Sequence, residues 1–130
     1  MKFLVGYDSS NSAKEALKMV AQYAKPFDAM VEVIASIEGG SANEEVEVQQ
    51  ARQNLEYAEA QLKEKGIAVK THLLVRGMSP GEDIVDFAEN NTVNAIFIGI
   101  KRRSKVGKLL FGSNAQYIIL NAPCPVMTVK

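Results

Sequence analysis

The stretch GIKRRSKVGKLLFGS, Gly99 to Ser113, holds five cationic side chains and three glycines in fifteen positions. Residues of these types meet anions as a phosphate cradle or a nucleic-acid patch, or else form a solvated turn. A Walker phosphate loop needs glycine at position 102 and Ser or Thr at 109, where the chain has Arg102 and Leu109. A nucleic-acid surface would use Lys101, Arg102, Arg103, Lys105 and Lys108. No aromatic residue interleaves them before Phe111 and no reading helix accompanies them, so nucleic acid is a disfavoured partner. The ends of the stretch offer something more specific. Gly99 follows the apolar run AIFI and allows close approach of backbone to a ligand, while Gly112 and Ser113 open a helical pattern whose amides and dipole favour phosphate.

Elsewhere the chemistry is sparse. His72 is the single histidine and falls inside a strand pattern, which predicts a hydrogen-bonded strand residue and no metal cluster or Ser-His relay. Glu44, Glu45, Glu47, Glu56 and Glu59 read as the solvated face of a helix. Cys124 stands alone between two prolines, with no disulfide partner and no metal-ligand spacing. Asp8, just past the first apolar run, and Arg76 with Gly77, just past the third, remain as polar positions at strand ends. No general acid or base stands out.

These positions depend on an alternating chain. Strands are predicted at Lys2–Tyr7, Met30–Ile37, Ala68–Val75, Ala95–Ile98 and Val126–Val129, where short apolar or β-branched runs are bounded by turn residues. Between them run four helical patterns. The first carries Ala16, Met19, Val20, Tyr23 and Ala24 and is predicted to end at Pro26; the second carries Val48, Ala51, Leu55, Ala58 and Leu62 and stops at Gly66. The third carries Ile84, Val85, Phe87 and Ala88, and the fourth Ala115, Ile118, Ile119 and Ala122. Capping signatures are read at Ser12 with Glu15, Ser41 with Glu44, Ser79 with Glu82 behind Pro80, and Ser113 with Gln116. Five strands alternating with four helices predict an α/β fold, a parallel sheet covered by helices on both faces. Ligands in such sheets bind beyond the carboxyl ends of the strands, where the strand order reverses.

At 130 residues the chain fits one domain over 1–130. The formal net charge is zero, yet every one of the 15 acids lies at or before Glu89, and the residues from Asn90 onward carry six cations and no acid. The C-terminal third therefore favours an anion. No apolar run reaches the roughly 20 residues of a membrane helix, and the N-terminus has no export-signal pattern, so a cytoplasmic protein without membrane partners is expected.

Three segments, VGYDSSNSAKEAL, VRGMSPGEDIVDFA and GIKRRSKVGKLLFGSNAQYIILNAPCPVMTV, make the chain resemble a single-domain universal stress protein over its whole length. The resemblance implies an open, Rossmann-like sheet of the adenine nucleotide alpha hydrolase type, with strand order 3-2-1-4-5, which brings Asp8 and Gly99 to one crevice. The nucleotide-binding branch of the family has a glycine, two residues, a second glycine, nine residues, then Gly and Ser or Thr. Gly99, Gly112 and Ser113 fit this signature and Arg102 replaces its second glycine. The resemblance implies ATP, with or without Mg2+, with adenine near Gly6, Tyr7, Ile37 and Gly77. Asp8 and Gly99, beside Ile98, would lie near the ribose, and Lys101, Arg102, Gly112, Ser113 and Asn114 near the phosphates. Arginine at 102 either obstructs the phosphates or grips them with its planar fork. The family also implies a homodimer through the last strand, Val126 to Val129, acting in regulation, and no more turnover than slow ATP hydrolysis. The alternative is a dimeric interaction module of the same family that takes no nucleotide.

Overall fold

The computed structural model describes residues 1–100 and 112–130. Its elements alternate as β1 (Lys2–Gly6), α1 (Asn11–Phe27), β2 (Met30–Ile37), α2 (Glu44–Glu64), β3 (Val69–Val75), α3 (Pro80–Asn90), β4 (Ala95–Gly99), α4 (Ser113–Asn121) and β5 (Val126–Val129). The five strands form one parallel sheet in the order β3-β2-β1-β4-β5, as the resemblance implied. The order reverses between β1 and β4. Phe3, Leu4 and Val5 pair there with Ala95, Ile96 and Phe97.

Strict alternation along each strand divides the interior into two cores. Phe3, Val5, Val31, Val33 and Phe97 pack with Ala16, Leu17 and Val20 of α1 and with Leu55, Ala58 and Leu62 of α2. Leu4, Ile34, Ile96 and Ile98 point the other way and pack with Ile84, Val85, Phe87 and Ala88 of α3 and Ile118 of α4. A strand buried on both faces must be apolar at nearly every position, which is why the central runs FLV and AIFI show no polar alternation. His72, expected as a hydrogen-bonded strand residue, has its Nε2 3.3 Å from Glu32 Oε1 and its ring against Phe87.

Several helix ends differ from the expected ones. Pro26 does not stop α1: its fixed φ suits the last helical turn, and the helix runs one residue further, to Phe27, before Asp28 caps it in a left-handed conformation with φ 50°. The amides of Asp28 and Ala29 close that end on the carbonyls of Lys25 and Ala24. The cap of α1 is Ser10 and not Ser12; its hydroxyl accepts from the Ala13 amide at 3.2 Å. Asn43, without a side-chain cap, precedes α2, and Glu44 reaches back to the Gly40 amide at 2.8 Å. Ser79 and Glu82 form the expected capping box, with Pro80 in the first turn. At α4 the cap position is Gly112, and Ser113 is already helical.

Gly99 has a role inside the fold. A Cβ there would lie 2.5 Å from the carbonyl oxygen of Ser12 and 2.6 Å from the amide nitrogen of Ala13. Only glycine lets the first turn of α1 pass this close to the end of β4.

Candidate functional site

The carboxyl ends of β1, β2 and β4 open into a cleft of about 950 Å³. Its floor is strand-end residues from Gly6 to Asp8, Ile34 to Ile37 and Ile98 to Ile100. One wall is the N-terminal half of α2, from Val46 to Asn54; opposite it stand Pro80 and Ile84 of α3 with Gly112 to Ala115 and Ile118. Reversal of the strand order sends α1 and α4 to opposite faces and leaves this gap above the sheet.

Most residues singled out from the sequence meet here. Gly6, Tyr7, Asp8, Ile37, Ile98, Gly99, Gly112, Ser113 and Asn114 all line the cleft. Gly77 does not. It turns the chain beyond β3 with φ 73°, and its amide donates to the Glu38 carbonyl at 3.0 Å. Lys101 and Arg102, with Arg103, Lys105 and Lys108 of the basic stretch, lie outside the described residues.

The α4 end is built for an external acceptor. Gly112 has extended backbone (φ −64°, ψ 161°) and no side chain to cap the first turn, so the Ser113, Asn114 and Ala115 amides receive no cap from its own side chain. A Cβ on Gly112 would meet nothing within 4 Å among the described residues. That first turn has no acidic residue, so the positive end of the helix dipole is left uncompensated. Asn114 fixes its position from the other side: its Oδ1 accepts from the Gly81 amide at 3.0 Å, tying the starts of α3 and α4 together. Across the cleft, Asp8 is exposed, and its Oδ1 accepts from the Ser10 amide at 3.0 Å, which holds the carboxylate in front of α1.

Two features escaped sequence reasoning. Asp83 is 0% exposed, accepting from Ser36 Oγ at 2.6 Å and from Arg76 Nε at 2.7 Å. Arg76 also reaches Asp86 at 3.2 Å, so a polar chain runs from the cleft floor at Ser36 to the surface. Asp83 sits among apolar α3 residues, and its spacing from Ile84 and Phe87 was the available signal. The second feature is the α2 wall, whose polar residues read as a solvated face. Tyr7 is 4% exposed and stacks at 6.3 Å on Tyr57, while its hydroxyl has no hydrogen-bond partner among the described residues. Burial, with the nearby Tyr57 and Asp8, pushes its pKa up to about 12. Burial likewise pushes the Cys124 thiol up, consistent with an unreactive, half-buried residue. Among the described residues no three His, Cys, Asp or Glu side chains gather as a metal site, and no helix is long and apolar enough to cross a membrane.

A parallel sheet in this order, with its cleft at the reversal and a glycine-capped helix facing it, is the architecture of an open α/β fold whose ligand crevice lies at the strand ends. The model of the Universal stress protein family matches residues 1–130, and the chain belongs to that family. It is 30% identical, over 99% of its length and 81% of the relative's, to a universal stress protein of Methanocaldococcus jannaschii. Among solved structures, a universal stress protein of Archaeoglobus fulgidus is similar with a TM-score of 0.91 and 38% identity, covering 100% of this chain and 98% of that one. A universal stress protein of the same organism in complex with dAMP matches with a TM-score of 0.86 and 34% identity, over 100% of this chain and 98% of that one.

Proposed function

We propose that this chain binds an adenine nucleotide in the cleft, with its phosphates on the first turn of α4 and its base toward β2. The observation that carries this is Gly112: nothing within the described protein needs a glycine there, and its missing side chain leaves both space and amides for an anion. The dAMP complex of the Archaeoglobus fulgidus relative supports the same class of ligand. Ser113 and Asn114 would contribute amides and Asp8 and Gly99 would flank the ribose. Gly6, Tyr7, Ile37 and Ile98 would surround the base. Lys101 and Arg102 would add cationic contacts to the phosphates. ATP, with Mg2+ on the phosphates, is the physiological form in this reading. The output is regulatory binding in a cytoplasmic stress response.

Calorimetry with MgATP and with dAMP, together with analysis of nucleotide released from purified protein on denaturation, tests this reading. Saturable binding supports it; no heat at millimolar ligand and no released nucleotide sinks it.

The regulatory unit in this proposal is a homodimer through β5. Among the described residues that strand pairs only with β4 and closes one side of the sheet, leaving the backbone groups of its outer edge for another strand. Light scattering at working concentration checks it, and a monomer refutes the dimer.

A further inference from the structure

Resting on the adenine-nucleotide reading of this cleft, we infer that Gln50 and Asn54 of α2 select the base by reading its hydrogen-bonding edge. Val46, Glu47, Gln50, Ala51 and Asn54 line the cleft, a spacing that marks one face of a helix. Ala51 faces inward and packs on the core, whereas Gln50 is exposed and Asn54 half-buried.

The electrostatics orient the ligand. The first turn of α2 carries Glu44, Glu45 and Glu47, whereas the first turns of α1 and α4 carry no acid. Phosphate is therefore repelled at the α2 end and accepted at the α4 end, so the uncharged base faces α2. The spacing agrees. β2 and β4 are separated by β1 alone, two strand spacings or about 10 Å. An extended nucleoside 5′-phosphate spans such a gap between base and phosphate.

Local chemistry then gives the edge. Gln50 Nε2 donates to Asn54 Oδ1 at 3.2 Å, and among the described residues Gln50 Oε1 and Asn54 Nδ2 make no hydrogen bond. The pair presents one acceptor beside one donor, the complement of a 6-amino group next to a ring nitrogen. Glu47 is held from outside by Ser41 Oγ at 2.8 Å on its Oε1, which steadies this end of the wall.

The test compares AMP with purine riboside 5′-monophosphate, which lacks the 6-amino group, on the whole chain by calorimetry. The wild-type protein should favour AMP by about tenfold or more, because the analogue leaves a site acceptor unpaired. A Gln50→Leu, Asn54→Leu variant should bind both within about threefold, and the near-isosteric Gln50→Met, which removes the acceptor that the 6-amino group meets, should reproduce the loss without disturbing packing. Equal wild-type affinities, or full discrimination retained in either variant, overturn the inference while leaving the nucleotide site intact. Failure of the wild-type protein to bind AMP overturns the site reading and this inference together.

Discussion

Gly99 and Gly112 bracket one stretch of chain and line one cleft, yet the structure constrains only one of them to glycine. At Gly99 a Cβ would collide with the first turn of α1, so the fold itself selects glycine. At Gly112 a Cβ would meet none of the described residues, and the backbone angles there are open to any residue. A sequence pattern treats the two alike. The comparison separates a residue that builds the cleft from one that keeps it free for an occupant.

Predictions on the building side have the larger effects. Asp83→Ala removes a fully buried carboxylate and strands Ser36 and Arg76; the loss should be about 3 kcal/mol, the low end for a broken buried pair because Arg76 still reaches Asp86 and solvent. Gly99→Ala should cost about 2 kcal/mol by forcing α1 away from β4, read as a lower urea midpoint with an unchanged slope. If Gly99→Ala is neutral in stability, the distinction between the two glycines fails.

Smaller effects probe the cleft's inner face. Tyr7→Phe deletes a buried hydroxyl that has no partner among the described residues and should raise stability by about 1 kcal/mol at pH 7. The same residue sets a pH signature. Its folded pKa, about 12, lies above the ordinary value of 10.0, so the folded state holds the proton longer than the unfolded one. This contribution is fully present below pH 10 and is lost as pH rises toward 12. Alkaline denaturation should therefore be shallower in Tyr7→Phe than in the wild-type protein over that window.

The strands and their alternation with helices were legible because each run is buried on one or both faces, and burial leaves a pattern in residue type. The caps were less so. Ser9, Ser10 and Ser12 crowd the start of α1, and the Ser12–Glu15 spacing competes with the real cap at Ser10, whose third neighbour is Ala13. At α4 the pairing of Ser113 with Gln116 disguised a glycine cap, since Ser at the first helical position looks the same from spacing alone. Gln50 and Asn54 were missed because a polar helix face has the same composition whether it meets bulk water or a cleft. Asp83 was missed because Ser36 lies 47 residues away on β2 and Arg76 in the turn before α3, and the three meet only after β2 and β3 pair. The positions of Asp8 and Gly99 at strand ends and of Gly112 at the start of α4, by contrast, follow from the topology, which the family resemblance supplied.

The central claim, that Gly112 keeps the first turn of α4 open for phosphate, is tested most directly by Gly112→Ser. Serine is the better helix cap, so this change should raise stability by a few tenths of a kcal/mol. Its hydroxyl would occupy amides that the nucleotide needs, so affinity for dAMP and MgATP should fall about tenfold. Opposite signs in the two readings are the expected result. Affinity unchanged from the wild-type protein, with the cap gain intact, would contradict the account.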